Sequence, residues 1–333
     1  MTTAVAAAAI PAGIVLPKLA AYNVIEAHYK VVQGVPIPAS VFIPKDIQPG
    51  RHPVHVRWHG GCFITGHRAL PDWFGAWLLD FSLTHNAILI SPDYRLMPES
   101  SGLDILDDLR DFYTWLSTPA NLASLLPAGV QPDVDHLLVT GESAGGWLAL
   151  QSALLPASRP RISAVISQYP MIDLRDKYYT TAYEKQLFAP TAPQLDPSVF
   201  RAYVDRMTPG AVITSALPPD RFQLVVSILQ QGLFGKYFGP DRRLYPMEAL
   251  DSLTDGEELP PTWVMHGTAD TGIPVEGTYR YEKRLKQRLP RARTLFHYEE
   301  GADHGFDNAE GVGLQTDWVK KGVEFVEQYW PQH

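Results

Sequence analysis

Residues 141–146 read Gly-Glu-Ser-Ala-Gly-Gly, and this stretch decides the fold that the sequence predicts. A short apolar run at 137–140 precedes it, and a helical pattern over 144–154 follows it. The stretch fits the G-x-S-x-G pattern, in which a sharp strand-to-helix turn lifts a serine hydroxyl above a sheet. We therefore predict that Ser143 is a nucleophile, with the helix start behind it favouring a developing oxyanion. The alternative is an ordinary glycine-rich turn.

Strand and helix patterns alternate on both sides of this turn. An antiparallel hairpin is predicted first, around Gln33-Gly34, and Ser101 with Asp104 resembles a capping box that opens a helix. Further strands are predicted at 54–58, 87–91, 137–140, 162–167, 262–266 and 294–298, and further helices at 73–83, 144–154, 279–289 and 318–329. This alternation predicts the α/β class, with a mostly parallel central sheet flanked by helices.

Residues 174–255, called the insertion below, interrupt the alternation with many prolines, several aromatic residues and helical fragments. We interpret the insertion as a cap above the sheet and the whole chain, 1–333, as one domain. It is expected to select substrates and to contribute little to the chemical step. Its eleven aromatic side chains leave two interpretations open, a small core for the cap or a cage for an aromatic substrate.

A second glycine-rich loop, His59-Gly60-Gly61-Cys62-Phe63, follows the strand predicted at 54–58. Acyl transfer produces an oxyanion, and backbone N–H groups beside glycines are suited to bind it. We predict Gly60 and Gly61 as donors, with the Ala144 N–H as a third. His59 is expected to support the loop rather than to join His52 and His55 in a metal site. Cys62 is expected to be a small buried residue.

Two further residues complete the predicted chemistry, since a serine needs a base that is held in the right tautomer by an acceptor. Asp270 follows the strand predicted at 262–266, and His304 follows the strand predicted at 294–298. The order Ser143, Asp270, His304 is the order typical of this fold. Asp303 is the rival acid, but as the neighbour of His304 it is not expected to reach the ring.

Composition narrows the functional classes further. The chain has 333 residues and a formal net charge of -8, and no Lys/Arg run exceeds a pair, which argues against nucleic-acid binding. Cys62 is the only cysteine and no N-x-[ST] site occurs, so a cytoplasmic location is favoured over secretion. The apolar stretch at 4–16 lacks a preceding basic residue and is too short for a membrane anchor. The sequence assigns no cofactor, no metal and no oligomeric state.

These motifs resemble the hormone-sensitive-lipase-like branch of the α/β-hydrolase fold. The resemblance covers residues 58–63, the stretch Asp93-Tyr94-Arg95-Leu96-Met97-Pro98-Glu99, the Ser143 turn and the two loops of Asp270 and His304. It implies hydrolysis of a carboxylic ester without a cofactor and a bracing role for Tyr94 and Arg95. It also implies a cap built from residues 1–22 and 174–255.

The sequence departs from the pattern of this family at two places. These are Cys62 and the sequence His-Gly-Thr-Ala-Asp in the loop at 266–270. The expected substrate is therefore a small-molecule ester with an apolar part, while a lactonase, thioesterase or amidase in a biosynthetic pathway remains an alternative. A non-catalytic small-molecule receptor on the same fold is the third possibility, and loss of a catalytic residue would be its sign.

Overall fold

The computed structural model describes residues 17–154, 161–188, 192–208, 210–254 and 258–331. These residues form an eight-stranded sheet in the order β1-β2-β4-β3-β5-β6-β7-β8. The strands are β1 Tyr22–Val32, β2 Val35–Pro44, β3 Gly50–Trp58, β4 Ile88–Pro92, β5 Val130–Glu142, β6 Ile162–Gln168, β7 Thr262–Gly267 and β8 Thr294–Glu299. β2 pairs antiparallel with β1 and β4, and the remaining pairs are parallel. The predicted α/β class is confirmed.

Helices connect the parallel strands and flank the sheet. They are α1 Ala76–Thr84, α2 Gly102–Leu116, α3 Pro119–Ala123, α4 Ala144–Ala153, α5 Lys177–Thr180, α6 Ser198–Val204, α7 Phe222–Gln230, α8 Phe234–Phe238, α9 Pro246–Asp251, α10 Val275–Arg288 and α11 Asp317–Val326. Short 3-10 turns lie at Pro17–Leu19, Pro71–Trp73, Arg242–Leu244 and Phe306–Asn308. The predicted capping box is present, since the Ser101 side chain accepts from the Asp104 N–H and the Asp104 carboxylate accepts from the Ser101 N–H.

Several element boundaries differ from the sequence prediction, among them the starts of α1, β3, β5 and α10. The helix predicted to begin at 73 begins at Ala76, because a 3-10 turn and Gly75 precede it and a side chain at Gly75 would meet Trp77. β5 begins seven residues earlier than its apolar run, because residues 130–133 pair with the start of β3. Pairing with a neighbouring strand, and not hydrophobicity, extends this strand.

The insertion contains α5 to α9 and lies between β6 and β7. Its helices pack on the same apolar core as the sheet, since the buried Phe234 and Phe238 belong to one cluster with Phe63 and Trp147. The Phe238 ring centroid lies 5.3 Å from that of Phe63 and 5.4 Å from that of Trp147. These phenylalanines therefore form a packed core between the insertion and the sheet.

The predicted N-terminal part of the cap, 1–22, is described only from residue 17 onward. Leu19 and Tyr22 are buried there against Phe42 and Phe74. Residues 1–16 lie outside the described part of the chain.

Candidate active site

Ser143 stands at the turn between β5 and α4, as the cap residue of the helix. Its backbone has φ 58° and ψ −115°, a conformation that non-glycine residues rarely adopt. The two neighbouring glycines are required by space, because a Cβ on Gly141 would lie 2.1 Å from the Gly145 oxygen. A Cβ on Gly145 would lie 2.0 Å from the Trp58 oxygen. The turn is thus too tight for any larger residue at either glycine.

Asp270 and His304 are brought together from the loops after β7 and β8. The His304 Nδ1 lies 2.8 Å from the Asp270 Oδ2, with the aspartate side chain fully buried. The other carboxylate oxygen, Oδ1, accepts from the N–H groups of Gly272 and Ile273 at 2.8 and 2.7 Å. His266 Nε2 lies 3.1 Å from Oδ2. This carboxylate is therefore held in one orientation from several sides.

The charges of the pair are coupled. Burial favours the neutral carboxyl of Asp270, but His304 and His266 outweigh burial and hold its pKa well below the usual range. Burial also opposes protonation of His304, yet Asp270 outweighs it and raises the pKa of His304 above 6.5. With Nδ1 donating to Asp270, neutral His304 has Nε2 as its acceptor nitrogen.

Aromatic rings surround His304. The Tyr169 ring centroid lies 4.6 Å from the His304 centroid in an edge-on contact, and the Phe188 centroid lies 5.8 Å away. The Tyr169 hydroxyl donates to the buried Asp307 at 2.7 Å. Within the described residues no hydrogen bond joins the Ser143 hydroxyl to His304, and such catalytic contacts are often long before substrate binds.

Phe188 is one of the eleven aromatic residues of the insertion, for which the sequence left a cap core and a substrate cage open. Tyr169 and Asp307 were not predicted. Asp307 lies three residues after His304, whereas Tyr169 follows β6, so only the folded structure brings Tyr169 to the histidine.

Asp303 has a different set of partners. Its carboxylate accepts from the Thr271 N–H at 2.7 Å, the Thr271 hydroxyl at 2.9 Å and the N–H of His304 at 2.7 Å. The Asp303 carboxylate thus connects Thr271 of the Asp270 loop to the backbone of the His304 loop. The carboxylate that bonds the His304 ring is that of Asp270.

The glycine-rich loop at 59–63 lies beside Ser143, since a Cβ on Gly60 would be 3.3 Å from the Ser143 Cβ. The N–H of Gly60, which the sequence predicts as an oxyanion donor, has a protein partner in the structure. The Gly60 N–H already donates to Glu142 Oε1 at 3.0 Å. The N–H groups of Gly61 and Cys62 donate to no residue in the described part of the chain. The Cys62 N–H, which the sequence analysis did not consider, is thus as available as that of Gly61, and the positive φ of 53° at Cys62 reflects the unusual path of this loop.

The Ala144 N–H, the third predicted donor, is the first of α4. The four leading N–H groups of a helix have no partner within it, so Ala144 can offer its N–H to a ligand.

Glu142 links the loop to the Ser143 turn from behind. Its carboxylate also receives the Arg57 guanidinium, and Arg57 lies over the Phe74 ring at 3.7 Å. Burial raises the pKa of Glu142 to about 7, although Arg57 and the Gly60 N–H act in the opposite direction. Glu142 was only the variable residue of the motif in the sequence, with nothing to indicate this role.

The bracing role implied for Tyr94 agrees with the structure, whereas that of Arg95 differs. The Tyr94 hydroxyl donates to the carbonyls of His59 and Gly60 at 2.9 and 3.2 Å, and its ring stacks on His59 at 4.4 Å. Arg95 pairs instead with Asp104 and Asp108 of α2. It therefore anchors the helix rather than the loop.

The other histidines considered for a metal site have separate partners. His55 is buried between Ser82 and Thr140, while His52 contacts the carbonyls of Gln48 and Asn86. Over the described ranges, no group of three or more His, Cys, Asp or Glu residues is arranged to hold a metal ion. In the same ranges, no helix has the length and apolar character needed to cross a membrane.

Residues 55–308 match the family described as the alpha/beta hydrolase fold. A probable carboxylesterase of Phoma sp. is 32% identical over 312 residues, covering 91% of this chain and 95% of that protein. A non-reducing polyketide synthase of Preussia isomera is 28% identical over 333 residues, covering 92% of this chain but 15% of the synthase.

Among solved structures, an esterase of Pyrobaculum calidifontis matches with a TM-score of 0.57 and 27% identity, covering 92% of this chain and 84% of that one. Fold, site geometry and relatives agree. The chain belongs to the α/β-hydrolase family, in the hormone-sensitive-lipase-like branch of carboxylic ester hydrolases.

Proposed function

We propose that the protein hydrolyses a carboxylic ester through an acyl-enzyme on Ser143, with His304 as base and Asp270 as the orienting acid. The observation that carries this assignment is the 2.8 Å bond from His304 Nδ1 to the buried Asp270. His304 Nε2 takes the Ser143 proton as the hydroxyl oxygen attacks the ester carbonyl, and it then protonates the leaving alcohol. Water repeats the cycle on the acyl-enzyme and releases the acid.

The oxyanion formed at each addition step accepts, in this proposal, from the N–H groups of Gly61, Cys62 and Ala144. Cys62 replaces Gly60 in the set because the Gly60 N–H is occupied by Glu142. Donors that are fixed before the reaction need no reorganisation, and removing one raises the barrier by about 3 kcal/mol in comparable sites. No cofactor or metal takes part in this mechanism.

The proposed substrate is a small-molecule ester with an apolar part. The chain acts, in this proposal, as one domain with a cap formed by residues 1–22 and 174–255. The apolar cluster that joins insertion helices to the sheet supports the single domain. The net charge of -8 argues against a nucleic-acid partner, and the lone buried Cys62 fits a cytoplasmic location.

A fluorophosphonate probe tests the nucleophile. We expect the wild-type protein to be labelled and to hydrolyse p-nitrophenyl acetate and butyrate. Ser143→Ala should lose both properties while its circular dichroism is unchanged. Labelling that persists in the variant would place the nucleophile on another residue.

A thioesterase is the second candidate, because 92% of the chain matches a segment that makes up 15% of a polyketide synthase. Such synthases carry the growing acyl chain as a thioester, and the same serine mechanism cleaves oxygen esters and thioesters. The test compares kcat/KM for an ethyl ester and an N-acetylcysteamine thioester of one acyl group. Greater chemical lability of the thioester is corrected with the uncatalysed rates. A higher rate enhancement on the thioester would favour this second function over the first.

A further inference from the structure

The insertion is bonded directly to the loop that follows the proposed oxyanion donors. Gly66 and Ala216 exchange both backbone hydrogen bonds, each at 2.8 Å. The Thr65 hydroxyl lies 3.0 Å from the Ala216 oxygen and 2.8 Å from the Asp220 oxygen. Thr65 and Gly66, which follow the proposed donors in the loop, are thus paired with the insertion, because residues of the insertion supply their hydrogen-bond partners.

Arg221 extends this contact toward the donors themselves. Its Nε donates to the carbonyl of Ile64 at 2.7 Å, and its Nη2 donates to the carbonyl of Met97 at 2.5 Å. The Met97 N–H in turn donates to the Phe63 carbonyl at 2.7 Å. Phe63 follows Cys62 directly, so these bonds fix the backbone immediately after the proposed donors Gly61 and Cys62.

The guanidinium is itself held by an acid and a hydroxyl. Nη2 lies 2.8 Å from Glu99 Oε2, Nη1 lies 3.1 Å from Glu99 Oε1, and Nη1 lies 2.7 Å from the Tyr203 hydroxyl. The side chains are 11% exposed for Arg221 and 4% exposed for Glu99. A planar fork that engages five acceptors at once is a property of arginine, and a lysine ammonium has only three donors.

Arg221 also adopts a left-handed backbone with φ 65° and ψ 0°. An arginine in this conformation needs surrounding contacts that outweigh the backbone cost. The next residue, Phe222, contacts Phe188 at 5.5 Å between ring centroids, and Phe188 is the ring beside His304. The junction at 220–222 therefore touches both the oxyanion loop and the surroundings of the base.

We propose that Arg221, held by Glu99 and Tyr203, is a positioning residue that fixes the oxyanion loop from the insertion. It touches neither substrate nor reacting atoms. It acts by holding the carbonyl of Ile64, which follows Phe63 in the chain, and the carbonyl of Met97, whose N–H is bonded to Phe63. The insertion then contributes to the chemical step, which revises the expectation from sequence that it selects substrates and contributes little to that step. The inference rests on the proposed ester hydrolysis with Gly61 and Cys62 as donors.

The test measures kcat and KM on p-nitrophenyl acetate together with inhibition by a trifluoromethyl ketone, which forms a tetrahedral oxyanion on the serine. Arg221→Gln should lower kcat by about 10- to 100-fold, as for the loss of part of an oxyanion site. Its affinity for the ketone should fall by a similar factor, because both depend on the oxyanion. KM should change by less than about threefold, since binding common to ground and transition states is untouched.

Arg201→Gln is the matched control, an exposed arginine of α6 in the same insertion, and it should behave as wild type. Arg221→Lys keeps the charge but loses the planar fork of donors, so it should show a smaller loss of the same kind. It also decides the question if the glutamine variant fails to fold. Near-ultraviolet circular dichroism checks folding in each variant.

Two failures are distinguishable. If both folded Arg221 variants match Arg201→Gln in kcat and ketone affinity, or raise KM alone, the positioning role is wrong. If the wild type is not inhibited by the ketone and Ser143→Ala still hydrolyses the ester, the proposed function itself is wrong.

Discussion

Ser143, His304 and Asp270 are each fixed by different means. The position of Ser143 is set by its backbone, because Gly141 and Gly145 permit a tight turn in which any larger side chain would clash. Asp270 is placed by hydrogen bonds from Gly272 and Ile273 and by the ring of His304. His304 is placed by Asp270 on one edge and by the Tyr169 ring against its side. Changes at these residues should therefore have distinct signatures.

The first prediction separates Asp270 from Asp303. Asp270→Asn should lower kcat by about 10⁴-fold, because the amide no longer selects the His304 tautomer with Nε2 free. Asp303→Asn should lower kcat far less, since its carboxylate bonds Thr271 and backbone N–H groups. Steady-state kinetics of both variants check the ranking. The reverse ranking would transfer the orienting role to Asp303.

The second prediction concerns pH. His304 must be neutral to act as the proposed base, and Asp270 raises the pKa of His304 above its ordinary value although burial acts in the opposite direction. Activity is thus present above that raised pKa and is lost as the pH falls through it. The acid limb of kcat/KM should lie at higher pH than expected for an unperturbed imidazole in wild type, and it should move to lower pH in the residual activity of Asp270→Asn. A limb that stays in place would show that another group controls it.

Among the secondary-structure elements, α8 contributes packing and α7 contributes a surface near the base. Phe238 of α8 is fully buried against Phe63 and Trp147, whereas Phe222 of α7 is partly exposed beside Phe188. The two phenylalanines, which the sequence alone treats alike, thus have different surroundings.

The third prediction follows from this difference. Phe238→Ala should lower the free energy of unfolding by about 3–5 kcal/mol, because it leaves a cavity in the shared core. Phe222→Ala should destabilise the protein clearly less and should mainly raise KM for the longer acyl ester. Urea denaturation and kinetics on acetate and butyrate esters measure both effects. Equal loss of stability in the two variants would contradict the different surroundings described for Phe222 and Phe238.

The sequence predicts an element or residue well where one local rule decides it. The strands of the parallel sheet follow from their apolar runs, and Asp270 and His304 could be expected near each other because each follows the carboxyl end of a strand. Gly60 was assigned from the glycine pair alone, and the structure occupies its N–H with Glu142. Spacing along the chain does not determine which amide of a loop is already bonded. The contact of Arg221 with Ile64 spans 157 residues and is equally absent from any local pattern.

For the molecule as a whole, the insertion and the sheet share one apolar core. We therefore expect the stability of each to depend on the other. Phe234 and Phe238 of the insertion pack in one cluster with strands β3 and β5. The Arg221 contacts and the Gly66–Ala216 pair add polar links across the same boundary.

The fourth prediction is that the insertion and the sheet unfold together. Far-ultraviolet circular dichroism follows the helices and sheet, and near-ultraviolet circular dichroism follows the packed aromatic side chains. The two urea transitions should coincide, as expected when one cooperative unit unfolds. A separate early transition in the near-ultraviolet signal, with the sheet intact, would divide the chain into two units.

At Ser143 the left-handed backbone lowers the stability of the fold, while the serine hydroxyl is needed for the proposed activity. Holding a non-glycine residue in such a conformation costs about 1–3 kcal/mol, and only glycine relieves it. Ser143→Gly should therefore be inactive yet more resistant to urea than the equally inactive Ser143→Ala. A chain of this fold that no longer needed the proposed nucleophile would gain stability from glycine at this position. Serine at 143 therefore lowers the stability of the fold for the sake of the proposed reaction alone.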